Sequence, residues 1–149
     1  MNNKFFDLAF EQAKNAFKNN EVPIGAVIVK NNEVIAQAYN KKEEINCCTA
    51  HAEILAIEEA SKILHNWRLD GCEIYVTLDP CPMCASAIKQ ARISTVYSAL
   101  SNSDENNSQI IEKVFLTDKV NPGVKFETNL EVEKSKFLLN VFFDKQRNN

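Results

Sequence analysis

Glu73-Ile74-Tyr75-Val76-Thr77-Leu78-Asp79-Pro80-Cys81-Pro82-Met83-Cys84 decides the fold of this chain, because within it a strand gives way to a helix. Residues 73–78 are rich in β-branched and aromatic types and predict a strand. Asp79 and Pro80 then form a helix-start signal, an acid able to cap followed by Pro in the first turn, and the helix is expected to run to about Arg92. Toward the N-terminus, Phe6, Phe10, Ala13 and Phe17 recur at helical spacing and predict an opening amphipathic helix that ends near Asn19-Asn20. Residues 24–29 and 34–39 flank Asn31-Asn32 as a β-hairpin, since Asn tolerates the positive φ of a tight turn. The polar stretch 40–49 is a loop. A helix then begins at or just before His51 and carries Ile54, Leu55, Ile57 and Leu64 among good helix formers. Downstream, residues 93–99 predict a strand, 101–108 a polar loop, 109–116 a short helix and 124–128 a short strand. Residues 130–147 form a long closing helix with Phe137, Val141 and Phe142 on one side.

The order α-β-β-α-β-α-β-α-β-α predicts an α/β fold, a three-layer α-β-α sandwich around one mixed five-stranded sheet. A helix between the last two strands lets them lie parallel by a right-handed crossover. The 149 residues suit a single domain, 1–149, with a hydrophobic core. With only 3 Gly and 4 Pro, long flexible linkers are not expected. A net charge of −3 excludes a protein that coats nucleic acid by bulk charge, so a polyanionic partner needs a local basic surface. The apolar runs are too short to span a bilayer, and Asp7 and Glu11 interrupt the opening stretch, unlike a signal peptide. The five cysteines, an odd count that includes a C-x-x-C pair, fit a metal site in a reducing compartment better than a disulfide framework, and the expected location is cytoplasmic.

His51, Cys81 and Cys84 supply three candidate zinc ligands, and Glu53 a carboxylate that need not be one. A structural zinc site is normally closed by four protein ligands, whereas a catalytic one keeps a position open for water. Three ligands and a spare acid therefore fit a hydrolytic site. Cys81 and Cys84 share a helix face and lie where the helix dipole favours thiolate. His51 and Glu53 are about 200° apart on an ideal helix, so their convergence requires a helix start rather than mid-helix. Glu53 would take a proton from the attacking water as a base and return it as an acid, since the two steps are sequential. Cys72 is expected as a buried strand residue, His65 as a surface or helix-capping residue, and Trp67 as a core residue. Cys47 and Cys48 stand near His51, where one could add a fourth ligand.

The pattern H-x-E…P-C-x-x-C is the signature of zinc-dependent nucleobase deaminases. Residues 21–29 (EVPIGAVIV), 49–54 (TAHAEI) and 75–85 (YVTLDPCPMCA) resemble the TadA-type tRNA adenosine deaminases of the cytidine deaminase-like superfamily. The likeness covers Phe6 to Arg92 and returns in 137–147. It implies one zinc ion per subunit with a catalytic water, held by His51, Cys81 and Cys84, with Glu53 as the catalytic proton shuttle. It implies that Asn40 hydrogen-bonds a flipped-out base, where the residue alone reads as a strand-end turn. It also implies a homodimer that converts adenosine to inosine at wobble position 34 of a tRNA, an arginine tRNA anticodon arm. The chain departs from the pattern at Ser86, where the family has Gly, and at 97–106 (YSALSNSDEN), which carry no Lys or Arg. In the closing helix, Lys134, Lys136, Lys145 and Arg147 with Phe143 offer charge and stacking to RNA. The alternative readings are a deaminase of a free base or nucleotide (guanine, cytosine or dCMP type), with the same zinc site, and a non-catalytic zinc-stabilised module, against which Glu53 stands.

Overall fold

The computed structural model describes residues 1–116 and 123–148. The opening helix α1 (Asn3–Lys18) is capped by Asn2, whose side chain accepts from the Lys4 N–H. Strands β1 (Gly25–Lys30) and β2 (Glu33–Tyr39) form the expected hairpin. Asn31 and Asn32 both take positive φ, 52° and 63°, the pair of values that a two-residue turn matched to the strand twist requires. Helix α2 (Ala52–Leu64), strand β3 (Cys72–Val76), helix α3 (Pro82–Gln90), strand β4 (Thr95–Ser98), helix α4 (Glu105–Phe115), strand β5 (Lys125–Glu127) and helix α5 (Val132–Arg147) complete the order. The sheet runs β2-β1-β3-β4-β5. β1 is antiparallel to both neighbours, while β3, β4 and β5 are parallel, so the sheet is mixed as expected.

Side-chain alternation sends the two faces of the sheet to different cores. Val27, Val29, Tyr75 and Tyr97 face Phe5, Phe6 and Phe10 of α1, with Leu138 of α5 packed at the margin. Ala26, Ile28, Ile74, Val76 and Val96 face Ala52, Ala56 and Ala60 of α2, Ala85 and Ile88 of α3, and Ile111 and Phe115 of α4. The result is the three-layer cytidine deaminase-like sandwich.

Helix α2 turns the alanines Ala52, Ala56 and Ala60 to the sheet, while Leu55, Ile57 and Leu64 pack at the margin and Ile63 is exposed. Small side chains at i, i+4 and i+8 let this helix approach the sheet closely. Several expectations are corrected. Helix α4 begins at Glu105, inside the stretch read as loop, because Asp104 caps it by accepting from the Asn106 N–H. Trp67 is not a core residue: it is 60% exposed, and Arg68 and Arg92 lie against its ring. On α5 only Phe142 of the expected apolar side is buried, and Phe137 is 67% exposed. Cys72 is buried in β3, and His65 ends α2 in the left-handed conformation, both as expected.

Gly25 shows how tightly the first layer sits. A Cβ there would lie 2.7 Å from the Ala13 backbone N and would overlap the Ala9 carbonyl oxygen. The obstacle is helix backbone, which cannot rotate away. Gly25→Ala is therefore expected to lower stability by about 3 kcal/mol or more, read as a lower urea midpoint with an unchanged slope. A variant as stable as the parent would show that α1 can shift at no cost.

Candidate active site

Pro82 determines how the cysteine pair is presented. The residue before a proline is pushed out of the α region, and Cys81 accordingly takes ψ 171° and becomes the N-cap of α3, with Pro82 at the first helical position. Cys84 lies in the first turn and is buried. Asp79 does not cap the helix as expected. Its carboxylate instead accepts from the Thr128 hydroxyl at 2.6 Å and the Asn102 N–H at 3.4 Å.

His51 is likewise an N-cap, extended at φ −77° and ψ 151°, and α2 proper begins at Ala52. The 200° separation expected of an ideal helix therefore does not apply: His51 stands outside the helix and Glu53 inside its first turn. The His51 Nδ1 is 3.6 Å from the Cys81 Sγ and 3.5 Å from the Cys84 Sγ. All three donor atoms lie within 4.8 Å of one another, the one such group of three among the described residues. Tetrahedral zinc with Zn–S of about 2.3 Å and Zn–N of about 2.0–2.1 Å places N and S about 3.5 Å apart. The donor set thus matches zinc in type and spacing. Cys47 and Cys48 are exposed and stand outside the group; the Cys47 thiol is 3.2 Å from the Thr49 hydroxyl.

The electrostatics agree with a cation site. The Cys81 thiol is pulled down to about 5, chiefly by a hydrogen bond from Cys84, then by the N–H groups of Cys84 and Met83 and the charge of His51, against the opposing effect of burial. Cys84 is pushed up as the donor in that bond and by burial. Glu53, 4% exposed, is raised to about 7 by desolvation first, aided by the Cys81 charge and countered by its own N–H.

These groups open onto a cleft of about 200 Å³ lined by Val22, Ile24, Asn40, Lys42, His51, Ala52, Glu53, Leu78, Asp79, Cys81 and Asn102. It lies outside the start of β1 and the ends of β2, β3 and β4. Asn40 lines it: its Oδ1 accepts from the Lys42 N–H at 3.2 Å and its Nδ2 donates to the Val22 carbonyl at 3.4 Å. Three of the four cations named on α5 have neighbours within this chain. Lys134 pairs with Asp7, Arg147 with Asp144, and Lys145 lies over the Phe17 ring.

Sequence reasoning missed Glu21, Lys42, Asp79 and Asn102. Glu21 is buried, and its carboxylate accepts from the Glu43 N–H at 3.0 Å and the Glu44 N–H at 2.6 Å, so it holds the 41–49 loop against the cleft. An acid beside Val22-Pro23, between two apolar elements, was the available signal. Asp79 was visible but was assigned to a cap.

Fold and site together define a deaminase of the cytidine deaminase-like class. The family model of the MafB19-like deaminases matches residues 1–147. A tRNA-specific adenosine deaminase of Aquifex aeolicus is 44% identical, the match covering 97% of this chain and 95% of that protein. One from Bacillus subtilis is 38% identical over 93% and 86% of the two chains. A solved structure from a study of A-to-I editing by tRNA:A34 deaminases superposes with a TM-score of 0.84 at 35% identity, covering 93% of this chain and all of that one. A Bacillus subtilis guanine deaminase superposes with a TM-score of 0.67 at 31% identity, covering 100% and 96% of the two chains. The chain belongs to the MafB19-like deaminase family and, by its curated relatives, to the tRNA-specific adenosine deaminases.

Glu21→Gln removes the charge from two buried hydrogen bonds, each worth about 1.5–3 kcal/mol. Faster limited proteolysis within 41–49, at unchanged helix content, is the expected outcome. Cleavage at the parental rate would show that the loop is held by other means.

Proposed function

We propose that the chain is a zinc-dependent hydrolase that deaminates adenosine to inosine at wobble position 34 of a tRNA, an arginine tRNA anticodon arm, as a cytoplasmic homodimer whose catalytic unit spans 1–149. The observation that carries this reading is the convergence of His51 Nδ1, Cys81 Sγ and Cys84 Sγ beside a buried Glu53 at the floor of a base-sized cleft. The names of the relatives, including a chloroplastic tRNA(adenine(34)) deaminase of Arabidopsis thaliana 51% identical over 62% of this chain, support the substrate. No helix among the described residues is long and apolar enough to cross a membrane.

In this reading His51, Cys81 and Cys84 hold zinc, with a catalytic water at the position they leave open. Bound there, zinc would supply the Lewis acidity that makes water a nucleophile near neutral pH. Glu53 does the proton work. It accepts a proton from the attacking water and passes it to the ring nitrogen beside the carbon under attack. It then moves the remaining hydroxyl proton to the exocyclic amine, the C–N bond breaks, and ammonia leaves. A carboxyl near 7 can both accept and release protons at neutral pH. Asn40 orients the base: its Oδ1 is held by the loop, and its Nδ2 gives one N–H to a long bond to the Val22 carbonyl and has a second to offer a ring acceptor. Val22, Ile24 and Leu78 line the cleft and exclude bulk water from the base.

Deamination of free guanine is the second reading, favoured by the 31% identity to the guanine deaminase. Arginine tRNA with adenosine at the wobble position, assayed in parallel with guanine, cytosine, adenosine and dCMP, separates the two. Inosine at position 34, with the free compounds unchanged, is expected. Ammonia from guanine with the tRNA intact would reverse the assignment.

Two variants test the roles. Glu53→Ala should keep fold and zinc while losing activity by at least about 10²–10⁴-fold; full activity would remove Glu53 from the chemistry. Cys84→Ala should lower zinc, measured by elemental analysis, from about one per chain to a small fraction. Retention of a full equivalent would mean that the ligands lie elsewhere.

A further inference from the structure

The cleft that receives the base is lined by two carboxylates, Glu53 and Asp79, together with the Cys81 sulfur. That surrounding is unfavourable for the phosphates on either side of a nucleotide in an RNA strand. The loop 98–106, which forms one wall through Asn102, carries no Lys or Arg. Among the described residues that line the cleft, Lys42 is the one Lys or Arg.

Its placement is built rather than incidental. Lys41 and Lys42 are adjacent but differ in surroundings: the Lys41 ammonium lies 4.8 Å from the centre of the Tyr39 ring and Lys41 lines a separate hollow, whereas Lys42 lines the cleft. The Lys42 N–H donates to the side chain of Asn40, which fixes the backbone of the cation relative to the residue proposed to read the base. The next two N–H groups, of Glu43 and Glu44, are held by the buried Glu21 carboxylate, and the Lys41 N–H bonds to the Ala50 carbonyl, just before His51. The segment is therefore tied at both ends to the site it serves.

We propose that Lys42 contacts a backbone phosphate next to the reacting nucleotide and is the residue that directs the cleft to a base within an RNA strand rather than to a free base. This rests on the tRNA reading above and specifies how that substrate is recognised. A phosphate neutralised by one lysine gives a salt-dependent share of binding, and Lys42, an exposed residue that lines the cleft, supplies it at little desolvation cost. The same phosphate chemistry is present in a free nucleotide, which the test separates.

The experiment uses an RNA anticodon stem-loop with adenosine at the wobble position. KM is measured against salt for the parent, Lys42→Met and Lys42→Arg. Lys42→Met is expected to raise KM about tenfold, the effect of losing one charge-assisted hydrogen bond, and to flatten the slope of log KM against log salt by about 0.7. Lys42→Arg should keep the parental slope. A neutral methylphosphonate at the contacted linkage should cost the parent the same amount and leave Lys42→Met indifferent. Undiminished salt dependence in Lys42→Met, or a methylphosphonate effect that adds fully to the substitution at every linkage tried, overturns the proposal. Turnover of adenosine 5′-monophosphate as efficient as that of the stem-loop, and lost in Lys42→Met, overturns the assignment to RNA. A parent protein inert on every wobble-adenosine RNA overturns the underlying tRNA reading and this proposal together, whereas an active parent whose salt dependence is undiminished in Lys42→Met overturns Lys42 alone.

Discussion

The backbone restriction that Pro82 places on Cys81 is the constraint on which the site depends. Held extended, Cys81 caps α3 instead of joining it, so its sulfur meets the N–H groups at the helix start and the sulfur of Cys84 one turn on. His51 likewise stands extended, as the N-cap residue of α2. Two helix N-termini thus converge, each bringing unsatisfied donors and a partial positive charge toward thiolate and carboxylate. Neither helix could reach this position without small residues beneath it. Ala52, Ala56 and Ala60 set α2 down on the sheet, and Ala85 does the same for α3.

The opposite layer has a complementary task. Gly25 admits the backbone of α1 so closely that β1 is fixed against Ala9 and Ala13. The Gly25 N–H in turn donates to the Thr77 hydroxyl, and the Thr77 carbonyl accepts from Ser135 of α5. The strand end that leads to Asp79 and Cys81 is therefore held from the far side of the sheet. Asp79 extends that hold to the loop after β4 through the Asn102 N–H, and to the residue after β5 through the Thr128 hydroxyl. The departure from the family pattern at 97–106 has a structural counterpart here, because this loop is bound to the site floor and contributes Asn102 to the cleft.

Element order, the hairpin turn at Asn31-Asn32, the mixed sheet and the zinc-type donor set were legible in the sequence because each depends on local chemistry: periodicity, φ preference and ligand spacing. What was not legible depended on tertiary direction. Apolar periodicity identifies α2 and α5 as helices but not the residues they turn inward: α2 faces the sheet with alanines and α5 leaves Phe137 in solvent. Trp67 was read as core by its size, while its position after the left-handed end of α2 puts it outside between two arginines. Asp79 satisfied the rule for a cap, yet Pro82 rather than Pro80 occupies the first helical position, and the acid was left to bind the neighbouring loop.

The same tertiary logic accounts for the proton chemistry assigned to Glu53. A carboxylate in the first turn of a helix is ordinarily favoured in its charged form by the free N–H groups there. Burial acts against this, and for Glu53 burial is the stronger effect, with the Cys81 charge added to it. The balance is struck by the layer beneath: were α2 raised from the sheet by larger residues at 52 and 56, the cleft floor would admit water and the carboxyl would fall toward its ordinary range. The alanine stripe that the fold uses for packing thus belongs to the same layer that buries the acid, and burial is the first cause of its raised pKa.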